Sequence, residues 1–402
     1  MANSTTGPGA LQKQYEMVFG QPWPVIPAAL LVGTLNVFLF AFDRPWTASD
    51  GFRNWGDWLF QLLGIVHQPD LISPLLFSGS ILNLGLLLGA FAAALLSREF
   101  GIKPAPLAEL IKGGIGGIMM GGGAVLSFGC NIGGFFSALS ALSLSGLAMM
   151  LGLGIGAYLA AKYLSGKMDG AGSDDFQSAC ESPPQTSSAS FGAQPLIGLL
   201  VLLALLGVAH FYRVLGYAPQ GAFLLFGVAF GLVLQRSRFC FVRAFREPFM
   251  SGESVHTRAA ALALTLSMIG FSILKATDLK DSTDWVFPSF WLGALLGGSL
   301  FGAGMAIAGG CGAGSIWRAG EGQVKLWVAV FFFAVGASIT RLFLARAGLL
   351  GELGSALFLP DLAGWGGAIW GVVALMALWY LLSGWNESRK SVGLLKFLEK
   401  NS

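Results

Sequence analysis

Residues Gly116–Gly133 read GGIMMGGGAVLSFGCNIG, and Gly297–Gly314, 181 positions later, read GGSLFGAGMAIAGGCGAG. Laid over each other without a gap, they share Gly116/Gly297, Gly117/Gly298, Gly121/Gly302, Gly123/Gly304, Gly129/Gly310, Cys130/Cys311 and Gly133/Gly314. The chain is therefore read as an internal duplication, each copy carrying one thiol in a G-C-x-x-G turn at the end of an apolar run.

Composition says where such a segment sits. Of 402 residues, 54% are hydrophobic and 11% charged, against about 25% charged in a soluble domain, and the mean hydropathy is +0.69. This predicts an all-α polytopic membrane protein, because several runs reach the roughly 20 residues that span a hydrocarbon core. A net charge of +3 without a basic run excludes a nucleic-acid partner and leaves lipid as the surrounding medium. Residues 1–23 are polar and lack the basic start of a secretory leader, so the first apolar run is expected to be retained as a span.

In chain order, span candidates lie at 24–42, 74–96, 107–126 and 147–164, then at 195–211, 222–234, 259–274, 290–308, 327–344 and 364–382, giving nine or ten crossings. The sequence RPWTASDGFRNWGDW, 44–58, mixes Trp46, Trp55 and Trp58 with charges and glycines and reads as an interfacial segment. Residues 166–194 are polar and rich in Ser and Pro, a linker outside the membrane that holds Cys180 as an incidental thiol. The expected organisation is a polar segment 1–23, a first membrane repeat 24–165, the linker, a second repeat 195–385 and a basic tail 386–402. Aligning Arg44-Pro45-Trp46 with Glu247-Pro248-Phe249 gives five apolar segments per half and sets Cys240 opposite Val37. An odd count per copy predicts inverted repeats.

Glycine beside cysteine in two copies predicts broken or re-entrant helices, with small-residue helix packing as the alternative use of each glycine. A break at membrane depth frees backbone N–H groups, and a helix opening after it points its positive end at the gap, which suits an anion. Cysteine adds a soft, weakly donating sulfur. The candidate site is Cys130, Cys240 and Cys311 with Gly129, Asn131, Gly133, Gly310, Gly312 and Gly314, Asn131 being placed to donate to an oxygen of the anion. Arg236, Arg238, Arg243 and Arg246 surround Cys240 and are candidates for drawing an anion to a pore mouth, or for a positive-inside loop. Arg318 and Glu321 are expected to pair near the constriction.

Other uses of cysteine are weaker. His67, His210 and His256 fall outside all three motifs, so no base accompanies a nucleophilic thiol and no enzyme is expected. No C-x-x-C and no phosphate-binding G-x-x-x-x-G-K-[ST] loop occurs, so neither a metal, a cofactor nor ATP is expected. Three converging thiolates holding a soft metal remain an alternative.

SFGCNIGGFFSA, RSRFCFVRAFREPFMSG and AGGCGAGSIWRAGEGQVKLW, around the three cysteines, resemble the YeeE/YedE (sulfur-transport) family of bacterial inner-membrane proteins, and the likeness covers nearly the whole chain. With its length and central linker the chain is most similar to the YedE branch associated with selenium metabolism. The resemblance implies uptake of thiosulfate or a related sulfur or selenium anion through the narrow centre of an hourglass formed by two inverted halves. The anion would pass along cysteine thiols by S–H hydrogen bonds, and a TusA/SirA-type sulfur-carrier protein would be the partner that receives the sulfur. A membrane scaffold for that carrier is a further alternative. One departure stands out: thiosulfate importers of the family carry the third cysteine early in the first half, whereas Cys240 lies in the second.

Overall fold

The computed structural model describes residues 10–168 and 193–388; Cys180, most of the linker and the basic tail lie outside them. The described residues form helices joined by turns and by longer loops, the longest at 63–77 and 277–291. These are α1 (Ala10–Phe19), α2 (Val25–Phe42), α3 (Ser49–Leu62), α4 (Ser78–Leu96), α5 (Leu107–Leu126), α6 (Asn131–Ser140, its first seven residues wound as π-helix) and α7 (Leu144–Met168). They continue as α8 (Gln194–Val214), α9 (Ala218–Ser237), α10 (Phe241–Met250), α11 (Val255–Ala276), α12 (Leu292–Ala308), α13 (Gly312–Gly320), α14 (Val324–Arg346) and α15 (Leu359–Ser388). Among them nine are long and apolar enough to cross a membrane, or ten when α5 and α6, bent by 42°, count as one span.

Local sequence places the ends. Pro24 precedes α2 and Pro106 precedes α5, each in extended backbone before the first turn, where the missing N–H and fixed φ of proline do no harm. Outward faces are leucine and isoleucine, as lipid contact requires. Leu196, Leu199, Leu200, Leu203 and Leu206 of α8 are all exposed, while α4 is mostly buried at the centre.

Most glycines of the duplicated motif turn out to be packing residues. A methyl added at Gly117 would lie 2.5 Å from the Ala329 carbonyl of α14, and one at Gly121 would lie 2.5 Å from the Phe333 carbonyl and the Ala337 nitrogen. Gly116 and Gly304 face each other's carbonyls across α5 and α12, as do Gly123 and Gly297, while Gly298 and Gly302 lie against Met149 and Leu153 of α7. Without a hydrophobic drive between helices in lipid, such backbone approach is the main source of cohesion.

The helices pair reciprocally. α5 packs on α14 as α12 packs on α7, α4 on α9 as α11 on α2, α3 on α14 as α10 on α7, and α8 on α4 as α15 on α11, with α5 and α12 meeting each other. This order makes α2–α8 one series and α9–α15 the other.

The segment 44–58, expected to be interfacial, packs largely against other helices of the protein. Trp46 is fully buried and stacks on Phe230 at 4.1 Å, Phe52 stacks on Phe333 at 4.4 Å, and α3 lies against α14 and α4. Its charges mislead because they pair at the edges, Arg44 with Asp50 and Arg341 with Asp57 at 3.3 Å.

Candidate functional site

Three breaks share one build. Phe128, Arg238 and Gly309 take left-handed backbone, with φ of 57°, 54° and 79°, and each stands two residues before a cysteine. Cys130, Cys240 and Cys311 are then extended and occupy the position before the first turn of α6, α10 and α13. Only glycine adopts positive φ without cost, so two of the three turns hold a strained residue, about 1–2 kcal/mol each. Such strain persists only where the surroundings impose it.

The breaks meet in the interior. All three cysteines are free and buried. The turn after Cys311 brings them near one another, through its two glycines. Gly314 marks the junction: a methyl there would lie 3.1 Å from Cys311 Sγ and 3.8 Å from Cys240 Sγ. A methyl at Gly312 would lie 3.6 Å from Cys130 Sγ and 3.7 Å from the Ala48 side chain. The Gly314 N–H donates to Cys311 Sγ at 3.3 Å, which turns that sulfur towards the helix start. Gly310 leaves room for Ser315, whose hydroxyl would be 2.8 Å from an added methyl, and Gly129 abuts Gly134.

The fourth break, 43–48, belongs to the same centre. It ends at Ala48, buried before the first turn of α3, just as Cys240 precedes α10. Ala48 is thus the first-half counterpart of Cys240 by element order. Val37 is not: it lies inside α2, packed over Gly270 of α11. The alignment on proline fails because Pro45 lies in a break whereas Pro248 lies inside α10. Asparagines hold this break in place. Asn36 accepts the Trp46 N–H at 2.7 Å and donates to Ser267 at 2.9 Å, and Asn83 donates to the Ala48 carbonyl at 2.8 Å. A mid-helix asparagine in each of α2 and α4 was the sequence signal for it.

Asn131, next to Cys130, is fully buried, and neither its amide nitrogen nor its amide oxygen has a hydrogen-bond partner. A buried unpaired amide costs about 1–3 kcal/mol, a cost that a ligand in its reach offsets.

The arginines form two separate groups. Arg236 and Arg238 pair with Glu99 at 3.3 and 2.9 Å, and Arg236 also donates to the Gln21 carbonyl at 2.6 Å. Arg243, beyond the break, pairs with Glu247 and with Glu253 at 3.4 Å, and Arg246 beside it is buried. The stretch is therefore two helices flanking Cys240, not a loop. Glu321 is fully buried and pairs with Arg238 at 3.2 Å, with Gln235 donating to it at 3.0 Å. Arg318 donates to the Gly309 carbonyl at 2.7 Å and lies over the Trp317 ring, bracing the turn before Cys311. The expected Arg318–Glu321 partnership is thus replaced by a link from Glu321 to the turn before Cys240. One turn of helix separates residues three apart on the chain, but the end of α9 lies closer to Glu321 in space.

A buried set of thiols, helix starts and unpaired amide donors suits an anion with a soft atom. A family model described as sulphur transport matches residues 3–159 and 236–397. The probable transporter YedE of Escherichia coli (strain K12) is 30% identical over 337 residues, 79% of this chain and 80% of its own. The thiosulfate transporter TsuA of Spirochaeta thermophila is 39% identical over 118 residues, 29% of this chain and 35% of its own, and that of E. coli K12 is 35% identical over 118 residues. With nine candidate spans and a match along both halves, this multi-pass inner-membrane protein belongs to the sulphur-transport family.

Proposed function

We propose that this chain takes up thiosulfate and passes it along Cys130, Cys240 and Cys311. The observation that carries the reading is that three buried thiols, each at a helix start, line one turn: Cys240 and Cys311 at Gly314, and Cys130 at Gly312. Thiosulfate has a soft terminal sulfur that accepts weak S–H hydrogen bonds, and the helix starts add partial positive charge for its oxyanion end. Weak, repeated contacts suit passage, since a site that holds its anion too tightly does not release it. No covalent step is involved. The TsuA relatives support thiosulfate as the anion. On the receiving side, we expect a small sulfur-carrier protein of the TusA/SirA type to dock.

A selenium anion is the second reading, favoured by Cys240: the thiol lies in the second half and Ala48 fills the corresponding place in the first. Uptake of labelled thiosulfate and of selenite into vesicles, by wild type and by Cys130→Ala, Cys240→Ala and Cys311→Ala, tests both. Each substitution is expected to lower flux of one species at least tenfold at unchanged protein level. Flux that survives all three removes the thiols from the path.

A further inference from the structure

The thiols leave unexplained a set of oxygen-seeking donors beside Cys130. Thr47 and Ser49 hydroxyls lie 3.1 Å apart, and Ser49 Oγ accepts the Cys130 N–H at 3.1 Å. Two hydroxyls carry two protons: with the half-buried Ser49 donating to Thr47, the buried Thr47 proton is left without an acceptor among the described residues. Thr47 is 4% exposed and presses on the first turn after Cys130, so that a methyl at Gly133 would collide with its hydroxyl. Asn131, 0% exposed and unpartnered at both amide atoms, adds two more donors in the same turn. Uncommitted donors in a buried place are unfavourable unless an acceptor arrives.

The second half carries different donors: after Cys311, Ser315 Oγ and Trp317 Nε1 are buried without a partner, and no hydroxyl precedes Cys240 where Thr47 precedes Ala48. By element order Thr47-Ala48 corresponds to Phe239-Cys240, an aromatic ring and a thiol, both buried. The centre therefore has unlike ends. Cys240 and Cys311 meet at Gly314, while hydroxyls and an amide gather around Cys130.

We infer that Thr47 and Asn131 form an oxygen-binding subsite, which holds the oxygens of a sulfur oxyanion while its terminal sulfur rests on the thiols. The inference rests on the thiosulfate reading and adds orientation to it. Sulfate satisfies the hydroxyl end alone and hydrosulfide the thiol end alone; an anion with both kinds of atom satisfies both. Thr47 is then a specificity residue, since it reads the oxygens and leaves the soft contacts to cysteine.

The test is competition against labelled thiosulfate influx in proteoliposomes holding the full chain. The competitors are unlabelled thiosulfate and the methanethiosulfonate ion, in which a methyl replaces one oxygen. Wild type is expected to prefer thiosulfate roughly tenfold, the size of one hydrogen bond to a charged group. In Thr47→Val, which keeps shape and removes the hydroxyl, that preference is expected to fall several-fold, leaving the part due to the second charge of thiosulfate, while Thr47→Ser retains it. A purely structural role for Thr47 would weaken both competitors alike and leave the ratio unchanged, which would overturn the inference. If Thr47→Val is not recovered folded, Asn131→Leu supplies the same ratio. Absence of thiosulfate flux in wild type would overturn the thiosulfate reading and the subsite with it, whereas an unchanged ratio with flux intact overturns the subsite alone.

Discussion

At the residue scale, the site depends on what stands beside each sulfur. Gly312 and Gly314 occupy alternate positions after the same turn and have different neighbours. A methyl at Gly312 meets Cys130 and Ala48 at ordinary contact distances of 3.5–3.7 Å, whereas one at Gly314 comes within 3.1 Å of the Cys311 sulfur and also touches Cys240. Neither would strike backbone of another helix, so both variants are expected to fold. Gly314→Ala should cut thiosulfate flux at least tenfold by wedging the two thiols, and Gly312→Ala should cut it less than threefold. Flux in proteoliposomes, normalised to folded protein, checks the contrast; equal flux in the two variants would place the path away from Gly314. Cys130, Cys311 and their glycines stood out in sequence because a duplicated G-C-x-x-G is rare by chance, whereas Cys240 lies outside that motif, among arginines. Ala48 and Thr47 were not, because an alanine and a threonine among tryptophans and charges carry no signal until the break at 43–48 brings them to Cys130. The ion-pair partner of Glu321 was hidden for a similar reason: Arg238 is 83 residues away in the chain and reaches it only because α9 stops at a left-handed residue.

At the element scale, glycine has two uses that spacing alone does not separate. Inside α5 and α12 it lets backbones touch; at the breaks it lets the chain reverse or tighten. The apolar runs located ten apolar helices within a few residues of where they lie, since length and hydropathy decide that in lipid. It did not reveal α3, α10 and α13, because a half-helix of 9–14 residues packed inside the protein is too short and too polar for the same test. Gly121 and Gly122 illustrate the packing use. The first faces backbone of α14 at 2.5 Å, and the second faces only the Thr340 hydroxyl and a Leu300 methyl at 3.2 and 3.4 Å. Side-chain ends can turn aside, whereas a helix backbone has to move as a body. Gly121→Ala is therefore expected to destabilise the protein by about 2 kcal/mol, in the range of overpacked cores, and Gly122→Ala by well under half of that. Thermal unfolding in detergent measures both, and equal midpoints would show that the α5–α14 approach is not what holds these helices.

At the scale of the whole molecule, the reciprocal pairing bears on topology. In the series α2–α8 and α9–α15, α8 packs on α4 as α15 packs on α11. We therefore read α8 as the last helix of the first repeat, and the polar linker as an insertion between the fourth and fifth crossings of that repeat, although composition makes it look like the joint between the two. Counting α2 with α3, α5 with α6, α9 with α10 and α12 with α13 as single broken spans gives five crossings per repeat, an odd number, and opposite insertion of the two halves follows. In this reading the breaks lie next to one another in the interior, which sets Cys130 of α5–α6 beside Gly312 of α12–α13. It also makes a definite statement about sidedness. Four crossings separate the N-terminus from the linker and ten separate it from the C-terminus, so all three lie on one side of the membrane. Reporters active only in the cytoplasm, placed at residue 1, between residues 169 and 193, and after residue 402, should give the same signal. A linker reporter opposite to both termini would mean that one broken helix in each half turns back instead of crossing, and the two halves, with four crossings each, would then enter the membrane in the same sense.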